Sequence, residues 1–446
     1  MPESTPFDAL NAAAKPRITY MASYPPRECG IATFTKDLVE AIDRALPGSP
    51  GKIVALNESQ ATYRYGPEVK FAVSVDDPES YRDAADYVNR SRTDLLCIQH
   101  EYGLFGGLHG ENLLGFLDVV RKPIVITLHT VLPDPEDHLR WVTRELVERA
   151  DATVVLARKA LDILSSDYAL SSPRMRYIPH GVPNVRKLPS SSFKSILGLE
   201  GRFTISTFGL INPGKGIEYA VRALPRVVRK YPNLLYLVLG ETHPGVRKNE
   251  GESYRNYLHE LVRELGLQKH VKFNNRYLTK NEIVSYLMAT NIYLVPYLNP
   301  NQIASGTLAY AVGAGRAAIS TPFIYAQELL GDGRGVLVPF RDSEAIADAL
   351  ELLMGDPVLR ADMAMAAYAY GRNMTWHNVA RDYLRLFDAL LQGADLATEA
   401  APEGAPAPSS MLERDGEEGP GSVEGATGGH AEGSERRSAG QRAAVG

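Results

Sequence analysis

The chain has 446 residues, of which 44% are hydrophobic and 23% are charged, so it is long enough to form about two domains with well-filled cores. Its formal net charge is −5 and the sequence contains no long stretch of basic residues, which argues against a nucleic-acid-binding surface. The two cysteines, Cys29 and Cys97, stand far apart in the sequence, which argues against disulfides and against a zinc site.

Residues 1–16 are predicted to form a polar leader. They lack the basic region followed by an apolar run that marks a secretory signal. No stretch approaches the ~20 apolar residues that a bilayer span needs. We therefore expect a cytoplasmic protein. No group of His, Cys, Asp and Glu residues has the spacing of a metal site.

Residues 17–183 alternate strands with helices. The first strand, Arg17–Ser23, leads through the rigid loop Tyr24–Gly30 into an amphipathic helix at Ile31–Ala45. Further strands are predicted at Lys52–Leu56, Val69–Val73, Asp94–Ile98, Ile124–Leu128, Ala152–Leu156 and Met175–Ile178. Helices are predicted at Tyr81–Arg90, Glu111–Arg121, Glu136–Arg149 and Lys159–Ser166. This alternation predicts a doubly wound parallel sheet, in which ligands bind beyond the carboxyl ends of the strands.

A second alternation follows a linker at residues 184–201 that is rich in Pro and Ser. Within residues 202–372, strands are predicted at Phe203–Phe208, Leu234–Leu239, Val271–Phe273, Ile292–Val295, Ala317–Ser320 and Gly335–Val338. The predicted helices are Ile217–Lys230, Tyr254–Leu265, Lys280–Met288, Gly306–Gly313, Glu344–Met354 and Leu359–Gly371. The α/β chain is therefore predicted to form two tandem Rossmann-like domains, the second of them also doubly wound.

A helix is predicted at Trp376–Leu391, within residues 373–392, and a tail follows at residues 393–446. The tail is made largely of Ala, Gly, Glu, Ser and Pro, and it cannot bury enough apolar surface to offset the entropy of ordering. We expect it to be disordered. A passive solubilising tail and a regulatory or partner-binding tail both fit this composition.

A Gly-rich loop after the strand Phe203–Phe208 is the first candidate site. It runs from Gly209 to Gly216, contains Lys215, and precedes a helix that begins at Ile217. Such a loop offers free backbone N–H groups, the positive end of a helix dipole and a lysine, which together suit a phosphate or diphosphate. The alternative is an ordinary turn with a solvated lysine.

A second candidate anion site lies at a helix start in the same domain. Ser305, Gly306 and Thr307 would form the first turn of a helix, with free N–H groups and two hydroxyls. The alternative is a helix that is simply capped by Ser305. Two such helix starts in one domain favour a nucleotide diphosphate as the ligand.

Three loops of the first domain also follow predicted strands. Gly30 opens a helix and could admit a phosphate or a sugar against the backbone. His100 and Glu101 follow the strand at Asp94–Ile98, and His129 follows the strand at Ile124–Leu128. Each histidine is a candidate functional residue, with a satisfied structural histidine as the alternative.

Several segments together resemble the GT-B fold glycosyltransferases of the retaining, nucleotide-sugar-dependent family 4. They are Pro26–Ala32, Thr127–Thr130, Ile178–Val182, Phe208–Gly216 and Gly313–Arg316. The resemblance implies two Rossmann-like domains around a cleft, an N-terminal acceptor domain, a C-terminal donor domain and a last helix that crosses back to the first domain.

The resemblance also implies roles for individual residues. Lys215, within the donor-binding loop that begins at Gly209, would bind the donor diphosphate, with Gly30 close to it and His129 near the reacting sugar. His100 and Glu101 would lie on the acceptor side. The sequence departs from the family where Leu210 replaces an arginine. Two glutamates that contact the donor sugar and the ribose are replaced by Gln302 and Tyr310.

The activity implied is metal-independent transfer of a hexosyl group from a nucleotide-diphosphate sugar, with retention of the anomeric configuration and with no cofactor. The implied acceptor is a carbohydrate or a lipid-linked molecule, and a lipid-linked acceptor would bring the enzyme into peripheral contact with a membrane. No nucleic acid is expected as a partner. The alternative is a GT-B-shaped binder of a nucleotide or sugar phosphate, or an epimerase-like enzyme without transfer activity.

Overall fold

The computed structural model describes residues 15–58, 62–186, 188, 190–394 and 396. Within them the chain forms two parallel sheets flanked by helices, as the alternation of strands and helices predicts. Most of the predicted leader and the predicted disordered tail beyond residue 396 lie outside the described residues. Among the helices that are described, none combines the length and the apolar character of a bilayer span.

The first sheet has seven strands in the order β3-β2-β1-β4-β5-β6-β7, and all neighbours are parallel. Its strands are β1 (Ile18–Ala22), β2 (Lys52–Asn57), β3 (Val69–Ser74), β4 (Leu95–His100), β5 (Ile124–Leu128), β6 (Ala152–Val155) and β7 (Met175–Tyr177). Its helices are α1 (Gly30–Ala45), α2 (Pro78–Arg90), α3 (Asn112–Leu117), α4 (Asp137–Arg149) and α5 (Arg158–Asp167). The strand order reverses between β1 and β4, which opens a crevice at the carboxyl ends of these two strands.

The second sheet has six parallel strands in the order β10-β9-β8-β11-β12-β13. The strands are β8 (Phe203–Phe208), β9 (Leu234–Leu239), β10 (Val271–Asn274), β11 (Ile292–Val295), β12 (Ala317–Ser320) and β13 (Gly335–Leu337). The helices from the linker onward are α6 (Ser190–Leu197), α7 (Ile217–Lys230), α8 (Pro244–Glu250), α9 (Ser253–Glu264), α10 (Lys280–Ala289), α11 (Gly306–Gly313), α12 (Ile324–Leu329), α13 (Ser343–Gly355), α14 (Pro357–Gly371) and α15 (Trp376–Leu391).

Three short helices were not predicted. Helix α6 lies inside the stretch that the sequence indicated as a linker, and Phe193 and Leu197 pack from it against the core. Helices α8 and α12 have seven and six residues, which is too few for a periodic pattern to be recognised. Helix α3 is shorter than predicted, since it ends at Leu117 where the pattern suggested Arg121.

Helix α15 packs on the first domain, as the resemblance implies for the last helix. Val379, Tyr383 and Phe387 are buried in one cluster with residues of β1 and α1. The Tyr383 hydroxyl is 2.8 Å from the Thr127 hydroxyl on β5. The apolar face of α15 is therefore part of the first domain's core, although a whole domain separates it from that core in sequence.

The two domains also meet through helix α1. The carboxylate of Asp37, which is 4% exposed, accepts hydrogen bonds from the Tyr310 hydroxyl at 2.8 Å and from the Lys280 ammonium. One turn earlier, the Thr33 and Tyr277 hydroxyls are 3.0 Å apart. A buried carboxylate needs such partners, because its hydration is lost. Helix α1 is thus attached to the second domain along one face.

Replacing Phe387 with alanine should lower the free energy of unfolding by about 3–5 kcal/mol, because the side chain is fully buried between α15 and the first domain. Urea unfolding followed by circular dichroism measures this change. Leu391→Ala on the same helix is the control, since Leu391 is 38% exposed. Similar losses in the two variants would contradict the packing of α15 described above.

Candidate active site

A cleft of about 590 Å³ lies between the two domains, at the carboxyl ends of both sheets. This is where ligands bind in doubly wound folds. Its walls include loop and helix-start residues that follow β1, β4, β5, β8, β9 and β11. They include Gly30, Phe34, Glu101, His129 and Thr130 from the first domain, and Gly209, Lys215, Glu241, Gln302, Gly306, Thr307 and Tyr310 from the second.

The loop that carries Lys215 lies at the cleft wall, and its backbone is held tightly. Gly209 has a φ of 131°, a value that favours glycine, and it lies against Gly240 of the neighbouring loop. A Cβ on Gly240 would lie 2.1 Å from the Gly209 carbonyl oxygen, so no side chain fits there. The loops after β8 and β9 are therefore in direct backbone contact at Gly209 and Gly240, where a side chain on Gly240 would clash.

The Lys215 ammonium is oriented by a tyrosine. Its Nζ is 2.7 Å from the Tyr297 hydroxyl and 3.9 Å from the centre of the same ring. Within the described part of the chain, no carboxylate forms an ion pair with it. Its positive charge is thus available to an anionic ligand in the cleft.

The start of helix α11 lies beside this lysine. The Tyr297 hydroxyl is 2.8 Å from the Thr307 hydroxyl, so Lys215 and Thr307 share one partner. Gly306 and Thr307 line the cleft. Ser305 is buried behind them and caps the helix, with its hydroxyl 3.4 Å from the Leu308 amide. The structure therefore brings both predicted anion sites to one place, with Ser305 as a cap at its edge.

His129 lines the cleft as a neutral ring. Its Nε2 is 2.9 Å from Gln99 Oε1, and its ring lies edge-on to Phe34 at 4.7 Å. Burial lowers its pKa to about 3. With Nε2 donating to Gln99, Nδ1 is the acceptor of the ring, and no described residue donates to it.

His180 is a second cleft histidine, to which the sequence motif Ile178–Val182 assigned no role. Its Nδ1 is 2.8 Å from the Gly181 carbonyl oxygen, and burial lowers its pKa to about 4. A Cβ on Gly306 would lie 2.8 Å from His180 Nε2. Helix α11 can therefore begin against this ring only because residue 306 is glycine.

His100 and Glu101, both predicted on the acceptor side, have different surroundings. His100 is fully buried, stacks on Phe105 at 5.3 Å, and does not line the cleft. Neither ring nitrogen has a hydrogen-bond partner, and burial lowers the pKa to about 3. Glu101 does line the cleft, and its two oxygens accept from the Tyr102 amide at 3.0 Å and from the Thr130 hydroxyl at 2.7 Å.

Gln302 and Tyr310, the two substituted family positions, both line the cleft but are already engaged. Gln302 Nε2 donates to the Ala304 carbonyl oxygen at 2.9 Å. The Tyr310 hydroxyl donates to Asp37 on the opposite domain. Tyr310 thus presents mainly its ring to a ligand, and the carboxylate normally expected at this position is missing.

Glu241 is a cleft residue that the sequence analysis missed. It follows β9 and Gly240, in a strand, glycine and loop order like that of β8, Gly209 and the Lys215 loop. That repeated order was the signal that could have identified it. Asp37 carried no such signal, because it lies within a regular amphipathic helix.

The arrangement suits an anionic ligand at one end and a polyol at the other. Lys215, Thr307 and the first amides of α11 present positive charge and hydrogen-bond donors at one wall, which are the groups that can bind an anion. His129, Glu101 and Gln302 offer neutral and charged hydrogen-bonding groups across the cleft. Among the residues described, no three His, Cys, Asp or Glu side chains gather as a metal site.

Comparison with known proteins finds similarity to glycosyltransferases. Residues 191–370 match the family model described as glycosyl transferases group 1. A phosphatidyl-myo-inositol mannosyltransferase of Mycolicibacterium smegmatis is 24% identical over 370 residues, which cover 81% of this chain and 85% of that protein.

Solved structures share the fold. Anabaena HepE, in complex with UDP and glucose, superposes with a TM-score of 0.65 at 14% identity, over 84% of this chain and all of that one. Sucrose-phosphate synthase of Thermosynechococcus elongatus gives 0.68 at 16% identity, over 85% of this chain and all of that one. At such identities the likeness shows the architecture of two domains.

Acid should destabilise the fold because three buried histidines are neutral in it. His100, His129 and His180 have pKa values of about 3, 3 and 4, below the usual 6.5. The unfolded chain therefore binds more protons, and stability falls as the pH drops from about 6.5 toward 4. Each histidine should contribute about 2 kcal/mol of loss between about pH 7 and pH 5.

The measurement is urea unfolding at these two pH values. His100→Leu should reduce the acid-dependent loss by about 2 kcal/mol, whereas replacing the exposed His377 with leucine should leave the loss unchanged. If His100→Leu loses as much stability as wild type between the two pH values, His100 does not stay neutral in the fold.

Proposed function

We propose that this chain, a group 1 glycosyltransferase of the GT-B fold, transfers a hexosyl group from a nucleotide-diphosphate sugar to a carbohydrate or glycolipid acceptor, with retention and without a metal. The observation that carries the proposal is the position of Lys215 beside the first turn of α11. The ammonium, the Thr307 hydroxyl and the helix amides lie at one wall of an interdomain cleft.

The difficult step in such a transfer is departure of the diphosphate. Negative charge builds up on the leaving oxygen while the anomeric carbon becomes cationic. Lys215 would stabilise that charge, with the amides of Gly306 and Thr307 beside it. These groups are fixed before the reaction, because Tyr297 holds both Lys215 and Thr307.

His129 fits the role of orienting the sugar better than the role of removing a proton. A ring with a pKa of about 3 is a weak base at neutral pH, so it is poorly matched to general-base catalysis. Its free Nδ1 can still accept a hydrogen bond from a sugar hydroxyl. Glu101, with both oxygens engaged, is likewise poorly placed to serve as a carboxylate nucleophile.

The names of similar proteins support particular substrates. The complex of Anabaena HepE with UDP and glucose favours a uridine-linked hexose as donor. The phosphatidyl-myo-inositol mannosyltransferase of Mycolicibacterium smegmatis favours a glycolipid acceptor, reached by peripheral contact with a membrane. A GT-B-shaped binder or an epimerase-like enzyme is the alternative, and Leu210, Gln302 and Tyr310 are the substitutions that favour it.

Incubation with a panel of nucleotide sugars tests the proposal. Transfer to a glycolipid or sugar acceptor, with the product's anomeric configuration read by NMR, is the expected result. Release of nucleotide without transfer, or isomerisation of the sugar, would support the alternative. An inverted product would contradict retention.

Replacing Lys215 with alanine should lower turnover by about 10²-fold or more at saturating donor, because the charge that stabilises the leaving group is lost. Lys215→Arg should retain more activity, since it keeps the charge. Lys272→Ala, an exposed lysine of the same domain, is the matched control. Rates near wild type for Lys215→Ala in a folded protein would show that the diphosphate binds elsewhere.

A further inference from the structure

A second cavity lies in the second domain, at the opposite edge of its sheet from the cleft. Its volume is about 270 Å³, and its walls come from the linker, from the segments just before β11 and β12, and from the start of α14. Its polar wall residues are Ser190, Thr290, Asn291, Arg316 and Arg360. None of the residues that line it also lines the cleft, so it is a separate cavity.

Positive charge surrounds this cavity. Arg316 and Arg360 line it, and no Asp or Glu does. Lys194 lies next to it, since its ammonium donates to Asn291 Oδ1 at 2.7 Å. Within the described ranges of the chain, no carboxylate forms an ion pair with any of these three cations. The cavity therefore has an excess of positive charge.

One carboxylate, that of Asp356, acts on Arg360 but does not pair with it. It caps α14 by accepting from the Val358 and Leu359 amides at 3.0 and 2.9 Å. Burial lowers the pKa of Arg360 more than the charge of Asp356 raises it. Burial and the charge of Arg360 also lower the pKa of Lys194. The two cations thus repel each other, and an anion between them would remove that repulsion.

Arg360 and Asn291 both have donors that no described residue uses. Arg360 donates through Nη1 to the Leu353 carbonyl oxygen, which leaves Nε and Nη2 without a described acceptor. Asn291 Oδ1 accepts from Lys194 and from the Thr204 amide at 2.9 Å. These bonds orient the Asn291 side chain, and Nδ2 has no acceptor among the described residues. Both side chains are partly exposed, so their donors can reach a ligand.

Arg316 contributes charge to the cavity, because its donors are largely engaged. It is 8% exposed, and it donates to the carbonyl oxygens of Thr290 at 3.1 Å and Ala314 at 2.9 Å, just after the ends of α10 and α11. These bonds alone would make Arg316 a structural residue. They do not cancel its charge, however, and burial lowers its pKa to about 10. Arg316 therefore attracts an anion in the cavity without having to contact it.

A phosphate group suits this set of side chains. A guanidinium binds phosphate through two parallel N–H donors, and an amide nitrogen can donate to a third oxygen. Three cations without ion-pair partners favour a ligand that carries more than one negative charge. The ligand is also small, because pockets for drug-sized molecules measure roughly 300–1,000 Å³. Inorganic phosphate and a small phosphate monoester share this chemistry.

We propose that this cavity binds a small phosphate dianion, with Arg360 and Asn291 donating to its oxygens and with Arg316 and Lys194 adding attraction. The site is independent of the cleft and of the proposed function. Ser190, which begins helix α6 of the linker, lines the same cavity as Arg360 of α14. A bound phosphate would therefore join the linker to a late helix of the second domain.

Calorimetric titration of the full chain with inorganic phosphate, at constant ionic strength, tests the assignment. The parent protein is Lys215→Ala, because Lys215 could bind phosphate in the cleft. In that background, Arg360→Gln removes a charge. Asn291→Asp keeps the oxygen that accepts from Lys194, but it replaces the free donor with a negative charge. Arg229→Gln is the control, since Arg229 is an exposed arginine of α7 in the same domain.

The parent should bind phosphate at a single site, and both test variants should bind it at least about 10-fold more weakly, as expected for loss of a charge-assisted hydrogen bond. Arg229→Gln should bind like the parent. Glycerol 1-phosphate is the second probe. If it binds more tightly than inorganic phosphate, the natural ligand is a monoester, and if it binds more weakly, the ligand is the free ion.

A parent protein that binds no phosphate would overturn the assignment. So would Arg360→Gln and Asn291→Asp proteins that are folded by circular dichroism and bind phosphate as the parent does. Equal weakening in Arg229→Gln would also overturn it, because that pattern indicates a general effect of net charge. Asn291→Asp retains its bonds to Lys194 and Thr204, so it provides the test even if Arg360→Gln fails to fold.

Discussion

The carboxylate of Asp37 constrains how the two domains meet. It is a buried charge on the first domain, and both of its described hydrogen-bond donors, Tyr310 and Lys280, belong to the second. If the domains separated at this point, the carboxylate would lose both donors, and a buried charge that loses its partners costs several kcal/mol unless water replaces them. The width of the cleft beside helix α1 is therefore coupled to whether the Asp37 carboxylate keeps its hydrogen bonds with Tyr310 and Lys280.

This constraint also shapes the ligand site. The helix that begins at Gly306 contains no Asp or Glu, and the hydroxyl of its Tyr310 is directed to Asp37 of the opposite domain, so it presents no carboxylate to the cleft. Leu210 stands where the family resemblance implies an arginine, and the nearby Lys215 is held by Tyr297 without being neutralised. The cleft thus has, at one wall, a helix start and a lysine without an ion-pair partner among the described residues, and it has neutral polar or aromatic side chains where the family resemblance implies glutamates.

Much of the fold could be predicted from the sequence, because each buried parallel strand appears as a run of apolar residues and several of these runs are followed by a Gly-rich loop. Strands β8, β9, β11 and β12 begin and end where the pattern placed them. The cleft residues Lys215, His129 and Gly306 follow predicted strands, and their roles stay predictions.

What could not be predicted depends on contacts between distant segments. The pairing of Asp37 with Tyr310 joins residues 273 positions apart, and neither residue departs from an ordinary helical pattern. His100 has the same sequence context as His129, at the end of a neighbouring strand, yet it is enclosed by Tyr102 and Phe105. Burial of that kind is decided by the loop that follows, whose conformation the sequence pattern does not reveal.

The path of the chain has a consequence for how such a protein can be altered. The connection into the second domain and the connection out of it run side by side, since Val182 and Thr375 form a bridge and the Val182 amide donates to the Met374 carbonyl oxygen at 2.8 Å. Because α15 completes the first domain's core, the second domain is topologically an insertion with adjacent ends. Exchanging it for another domain therefore requires two junctions, at this paired crossing, and a single fusion point would remove a helix that belongs to the core of the first domain.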